Sequence, residues 1–252
     1  MPPLPQAVRD RRAVLSAVAR ETKAALPDIL RHLPRVKADN SEKLGIKHVL
    51  VLDPANCPGF PLSSNPECRG TRVRVMNEDT LDAAYVVLVR SSMSDGHRFL
   101  VPQMPITQLP IVSIISVAAI RRPALRTAPG TSEYNSHRLQ TTFKYPADRQ
   151  LTKKKMRLAL RIAAHEKHEL LVLGALGCGA FRNPPEEVAR CWSEVLDEIE
   201  FRGGWWREIW FAVLDTKNEG NFNTFDRVLG EREFGVTAIL RSAQPAPPSP
   251  LR

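Results

Sequence analysis

Residues 170–189 read LLVLGALGCGAFRNPPEEVA, an apolar run that breaks into glycines, a cysteine and two prolines before turning amphipathic. Gly174, Gly177 and Gly179 lack Cβ atoms and permit positive φ, so successive backbone amides can turn onto an anion with no side chain in the way. Between the end of a buried strand and the start of a helix, such a bend sits where open α/β sheets bind ligands, and the helix dipole adds a partial positive charge. The spacing therefore predicts a phosphate cradle. A tight turn whose glycines only allow close packing is the alternative. Asn183 is placed to cap the following helix, with Pro184 or Pro185 in its first turn. Glu186 and Glu187 could be read as a catalytic pair, but acids are expected in a first helical turn on dipole grounds. Cys178 has no adjacent His-containing motif to activate its thiol and reads as a small packed residue.

Other reactive residue types form no recognisable frame. Cys57, Cys68, Cys178 and Cys191 show neither a CxxC pair nor metal-ligand spacing, so reduced thiols and an intracellular location, cytoplasmic or nuclear, are expected, with no metal and no cofactor. His97 and His137 read as surface histidines. The 252 residues carry a net charge of +9, which favours anionic ligands generally. The densest basic run, Lys153–Arg157, opens a predicted helix and is read as a solvated face. Nucleic-acid binding is thus an alternative and not the favoured reading, since no aromatic stacking motif interleaves with the basic residues. The N-terminus has no uninterrupted apolar h-region, and the longest apolar stretch is about a dozen residues against the roughly 20 that span a bilayer. No membrane partner is expected.

The elements that must position the bend follow from periodicity. Residues 11–33 place Val14, Ala17, Val18, Ala24 and Ala25 at helical spacings, with a bend or break near Pro27. Residues 47–53, KHVLVLD, read as a short strand, and 54–70 as a Pro- and Gly-rich loop. Val73 and Val75 alternate with Arg72 and Arg74 as in a half-buried strand, after which Asn77 and Asp79 offer caps for a short helix. YVVLVR (85–90) and IVSIISVA (111–118) read as buried strands, and 121–150 as a long loop. A helix from Thr152 with Met156, Leu160 and Ala163 on one stripe leads into the strand ELLVLG. Beyond the bend, a helix carries Val188, Trp192, Val195, Leu196 and Ile199, followed by the strand EIWFAVLD and a short helix. The alternation argues an α/β domain in three layers around a mixed, largely parallel sheet. The division expected is an N-terminal helical region and loop over 1–70, a core over 71–236, and a Pro-rich tail over 237–252.

The run LVLGALGCGAFRNPPEEVA resembles the diphosphate loop of the microbial-type poly(ADP-ribose) glycohydrolases, a macrodomain-related family in which Gly-Cys-Gly-small-Phe-x-Asn-Pro-Pro is characteristic. Further stretches are similar in the same order: RAVLSAVARETKAAL, TRVRVMNEDTLDAA, VSIISVAAIRRP and IWFAVLD, together covering most of residues 11–215. The resemblance implies a macrodomain-like fold whose ligand-binding set is Gly174, Ala175, Gly177, Cys178, Gly179, Ala180, Phe181 and Asn183. The backbone of residues 177–180 would hold the diphosphate of ADP-ribose or poly(ADP-ribose), and Phe181 would lie near the distal ribose. Catalytic members of the family carry three glycines and then Gln-Glu-Glu, whose acid protonates the leaving oxygen. Neither run occurs here, and NEDTLDAA passes directly into YVVLVR, so the catalytic residues are unassigned and hydrolase activity is expected to be weak or lost. The loop containing Asp53, Asn56 and Glu67 is a candidate replacement for the missing acid. An active hydrolase of ADP-ribose-like small molecules and a basic scaffold or nucleic-acid-binding protein stand as alternatives.

Overall fold

The computed structural model describes residues 51–80, 112–129 and 139–236, together with isolated helical positions in 13–24 and 83–87. The chain divides into two compact units, one of residues 1–47 and 97–111 and the other of residues 48–96 and 112–252. In the first unit Ala13, Ser16, Ala17, Arg20, Lys23 and Ala24 are helical, as the spacing predicts.

The second unit is built on a four-stranded sheet in which β4 (Leu170–Gly174) lies beside β5 (Glu208–Ala212), then β1 (Arg69–Met76), then β6 (Glu233–Val236). Strands β1, β4 and β5 run parallel, and β6 returns antiparallel beside β1. The α/β class and the mixed, largely parallel sheet agree with the sequence reading. β5 is central, and Ile209, Trp210, Phe211 and Ala212 are all buried, which is why its residues are apolar on both faces. Helix α1 (Pro146–His165) buries Met156, Ala159, Leu160 and Ala163 along one stripe. Helix α2 (Pro185–Leu196) buries Val188, Trp192, Val195 and Leu196, and helix α3 (Asn221–Leu229) buries Phe225 and Leu229. Phe211 of β5 meets Trp192 edge-on at 5.6 Å and Phe225 at 5.9 Å, which fixes both helices over the sheet.

Several local expectations are corrected. Residues 121–150 are not one long loop: β2 (Leu125–Pro129) pairs antiparallel with β3 (Leu139–Phe143), and α1 already starts at Pro146. Thr152 therefore lies inside the helix, where its hydroxyl donates to the Asp148 carbonyl at 2.9 Å in place of capping. Val112–Ala118 forms no strand, and Val51–Asp53 runs irregularly into a short 3₁₀ turn at Pro54–Asn56. Val87, read as part of a strand, is helical, as are Thr80, Ala83 and Ala84 before it. Ile199 is 78% exposed, since α2 ends at Leu196 and Ile199 falls in a separate 3₁₀ turn. The remainder of 47–53 and 85–90, His97, His137 and the tail 237–252 lie outside the described residues.

The basic run on α1 is explained by its neighbour. Arg149, Lys153, Arg157 and Arg161 recur every fourth residue and so share one helix face. They meet Glu187 and Glu194 (Arg149, both 2.6 Å), Glu194 (Lys153, 3.2 Å), Glu198 (Arg157, two bonds of 2.7 Å) and Glu200 (Arg161, 2.6 Å). The Lys153 side chain is only 13% exposed, so it does not belong to a free polyelectrolyte surface. Desolvation alone would raise the Glu194 and Glu198 carboxyls, but Arg149, Arg157 and Lys153 hold both below the usual glutamate range. A group titrating lower folded than unfolded contributes stability above its unfolded value, about 4.3 for glutamate, and loses it as pH falls through the folded value. Arg157→Gln, which removes a bidentate partner, is expected to move the acid-unfolding midpoint to higher pH. An unchanged midpoint by circular dichroism would show that the ladder contributes nothing at low pH.

Candidate functional site

The parallel registers pair Gly174 with Ala212 and Met76 with Ala212, so the C-terminal ends of β4, β5 and β1 lie level. The glycine bend leaves the sheet there. Within it, Cys178 N donates to Ala175 O (3.0 Å), Asn183 N to Gly177 O (3.0 Å) and Arg182 N to Gly179 O (2.9 Å). A second segment runs alongside, since Arg122 N donates to Phe181 O at 2.8 Å. Asn183 holds the two together: its side-chain amide donates to Ile120 O (2.7 Å) and to Gly177 O (3.1 Å), and only 2% of the residue is exposed. This corrects the expectation that Asn183 caps α2. The cap position is Pro184, with no side-chain bond; Asn183 lies one residue before it, with its amide turned to the carbonyls of Ile120 and Gly177.

The three glycines serve different ends. Only Gly177 needs left-handed backbone, with φ of +76°, and a Cβ there would meet the Asn183 amide and lie 2.6 Å from Ala119 Cβ. Gly174 has ordinary space, with Ala212 O at 3.9 Å from a built Cβ. Gly179 has no positive φ and nothing within 4 Å of its Cβ position, so neither backbone nor packing requires glycine. Among the described residues, the amides of Gly179, Ala180 and Phe181 donate to no backbone carbonyl. Among the described residues these three amides have no acceptor, and the three residues are exposed.

The start of α2 adds less positive character than the sequence pattern suggests. Pro184 and Pro185 supply no N–H, and Glu186 and Glu187 already occupy the first turn. Both carboxylates are committed to cations: Glu187 to Arg149 at 2.6 Å, and Glu186 to Arg190 at 2.8 Å and Arg227 at 3.1 Å. They are structural ion pairs, in line with the dipole argument. Burial pushes the Cys178 thiol up to about 12, so it stays protonated and is no nucleophile. Phe181 is 37% exposed and stands clear of the core.

Asp53, Asn56 and Glu67 are at the wrong end of the molecule to replace a missing acid. They precede β1, at the N-terminal ends of the parallel strands, whereas the bend leaves the C-terminal ends. Asp53 and Asn56 line a separate cavity of about 500 Å³ with Leu52, His168, Glu169 and Trp205. The ends near the bend are tied by a contact the sequence reading assigned otherwise. Asn77, expected as a cap, accepts from Asp215 N at 2.8 Å and links the ends of β1 and β5. Asp215 in turn accepts from the amides of Glu219, Gly220 and Phe222 at the start of α3. Among the described residues no three His, Cys, Asp or Glu side chains form a metal-binding group, and no helix is long and apolar enough to cross a membrane.

Among solved structures, similarity is found to bacterial poly(ADP-ribose) glycohydrolases. The chain is similar to the enzyme from Deinococcus radiodurans in complex with ADP-ribose, at 38% identity over 34% of this chain and 34% of that one, with a TM-score of 0.32. A longer alignment to another crystal form of that complex has 21% identity, 63% and 84% coverage and a TM-score of 0.37. The enzyme from Thermomonospora curvata aligns over 84% of this chain and 98% of its own, at 17% identity and a TM-score of 0.49. The 38%-identical match thus spans about a third of the Deinococcus enzyme. No family model and no curated protein sequence matches the chain.

Proposed function

We propose that this chain binds the diphosphate of ADP-ribose, or of a related ADP-containing nucleotide, on the loop backbone through the amides of residues 179–181, Cys178 N being taken by Ala175 O, and that hydrolase activity is weak or lost. The observation that carries this reading is the combination at Gly179: an ordinary φ, no atom within 4 Å of a Cβ, and free amides at residues 179–181. A turn serving only close packing would place a neighbour against that position. The run from Gly177 to Pro185 is also the part of the sequence that most resembles the family's diphosphate loop. Gly174 and Ala175 lead the loop out of the sheet, Cys178 and Asn183 hold its shape, and Phe181 offers an exposed ring to the distal ribose. Poly(ADP-ribose) is a ligand on this reading, through its terminal unit.

Because the free donors face a diphosphate, a single phosphate engages fewer of them. Calorimetric titration is expected to show AMP binding at least tenfold more weakly than ADP-ribose, about 1.4 kcal/mol. Equal affinities would assign the recognition to the nucleoside and not to the loop.

A further inference from the structure

We infer that the surface flanking the glycine loop, carried by residues 121–126, Lys144, Tyr145 and Arg182, binds single-stranded nucleic acid. On α1 the residues Arg149, Lys153, Arg157 and Arg161 are ion-paired to glutamates. Here the segments 112–129, 139–147 and 174–185 contain Arg121, Arg122, Arg126, Lys144 and Arg182 and not one Asp or Glu.

Backbone bonds bring these segments together. Arg122 N donates to Phe181 O and Lys144 N to Ala124 O, both at 2.8 Å, while Arg126 faces Thr142 across the β2–β3 pair. All five cationic residues are exposed, and none has a carboxylate partner among the described residues. Arg122 and Arg182 also hold left-handed backbone, at φ 48° and 54°, a conformation that costs a residue bearing a Cβ. Strain of this kind concentrates at functional positions.

The kind of polyanion follows from the rings. Tyr145 is 51% exposed, with Lys144 Nζ 5.6 Å from its ring centre, and it caps α1 without a side-chain bond, so the helix does not require its ring. An exposed ring beside unpaired cations can stack a base while the cations hold the phosphates. Only an unpaired base offers its face in that way, which favours a single strand over a duplex. The inference is separate from the loop's proposed ligand, because neither the cations nor Tyr145 belongs to the diphosphate set.

The test is fluorescence anisotropy with a labelled oligo(dT) of about 20 nucleotides, titrated over a range of salt. The intact protein is expected to bind with a steep salt slope. Replacing Arg121, Arg122 and Arg126 by Gln should flatten that slope by about 2, since each phosphate contact to a single strand contributes about 0.7. Tyr145→Leu should weaken binding about tenfold and Tyr145→Phe restore it, as a stacking ring does and a structural one need not. Lys154→Gln, on exposed α1 surface, and Gly179→Val should both leave binding unchanged, with matched melting temperatures verifying the fold. The inference is overturned by an unaltered salt slope in the triple variant, by equal affinity for a duplex of the same length, or by loss of oligonucleotide binding in Gly179→Val.

Discussion

Gly177→Ala is expected to destabilise the protein by roughly 2–5 kcal/mol, the largest effect of any single substitution in the loop. Left-handed backbone costs a Cβ-bearing residue about 1–2 kcal/mol, and forcing a methyl into filled space costs about 1–3 kcal/mol more. At Gly177 the two add, because φ is +76° and the new methyl would meet the Asn183 amide and Ala119. Displacing the Asn183 side chain also removes the donor that satisfies the carbonyl of Ile120. Set against a typical total stability of about 5–15 kcal/mol, such a loss is readily measured by urea unfolding. Gly179→Ala is the paired control, with an unstrained φ and open space, and its midpoint should match the parent. Equal midpoints for the two variants would mean that the loop relaxes freely and that Asn183 does not hold it.

Incubated with poly(ADP-ribose), the protein is expected to release free ADP-ribose about 10²–10⁴-fold more slowly than an enzyme with a positioned general acid, the range such assistance typically supplies. The two carboxylates that follow the loop in sequence are otherwise engaged. Glu186 and Glu187 are paired to arginines, and residues 112–129, 139–147 and 174–185 contain no Asp or Glu. Asp215 caps the start of α3 through three backbone amides, which hold its carboxyl below the usual range against the desolvation that would raise it. An acid held ionised is a poor proton donor. Glu67→Gln should change neither binding nor release, because Glu67 precedes β1 at the opposite end of the sheet. Release detected by mass spectrometry at the rate of an intact enzyme, and abolished by Gly179→Val, would mean that another group supplies the proton.

The parts of this architecture that were legible in the sequence are those whose signal is local. The alternation of α1, β4, α2, β5 and α3 shows in apolar periodicity, because each element buries a face against the same sheet. The β2–β3 pair was not legible. Its strands Leu125–Pro129 and Leu139–Phe143 are short, partly polar and exposed at Arg126 and Thr127, so they carry no buried alternation. Val87 shows the reverse error, a β-branched residue inside a helix, where tertiary context overrides propensity. At the candidate site, glycine content pointed to the bend but could not separate Gly177, which the backbone requires, from Gly179, which it does not. Asn183 and Asn77 looked like helix caps because capping depends on short-range order, while their actual partners, Ile120 and Asp215, are distant in sequence. The basic run at Lys153 drew attention by its density, yet its partners sit on another helix. The unpaired arginines at 121, 122 and 182 are dispersed along the chain and gather only on folding.

Calorimetric titration of ADP-ribose into the parent protein and into Gly179→Val tests the central claim most directly. The β-branched side chain enters open space, so the variant should keep the parent's melting temperature. The same side chain covers the free amides of the loop, and ADP-ribose affinity should fall at least tenfold, about 1.4 kcal/mol. Unchanged affinity in a folded Gly179→Val protein, or no binding of ADP-ribose to the parent, would contradict the account and leave the bend as a packing turn.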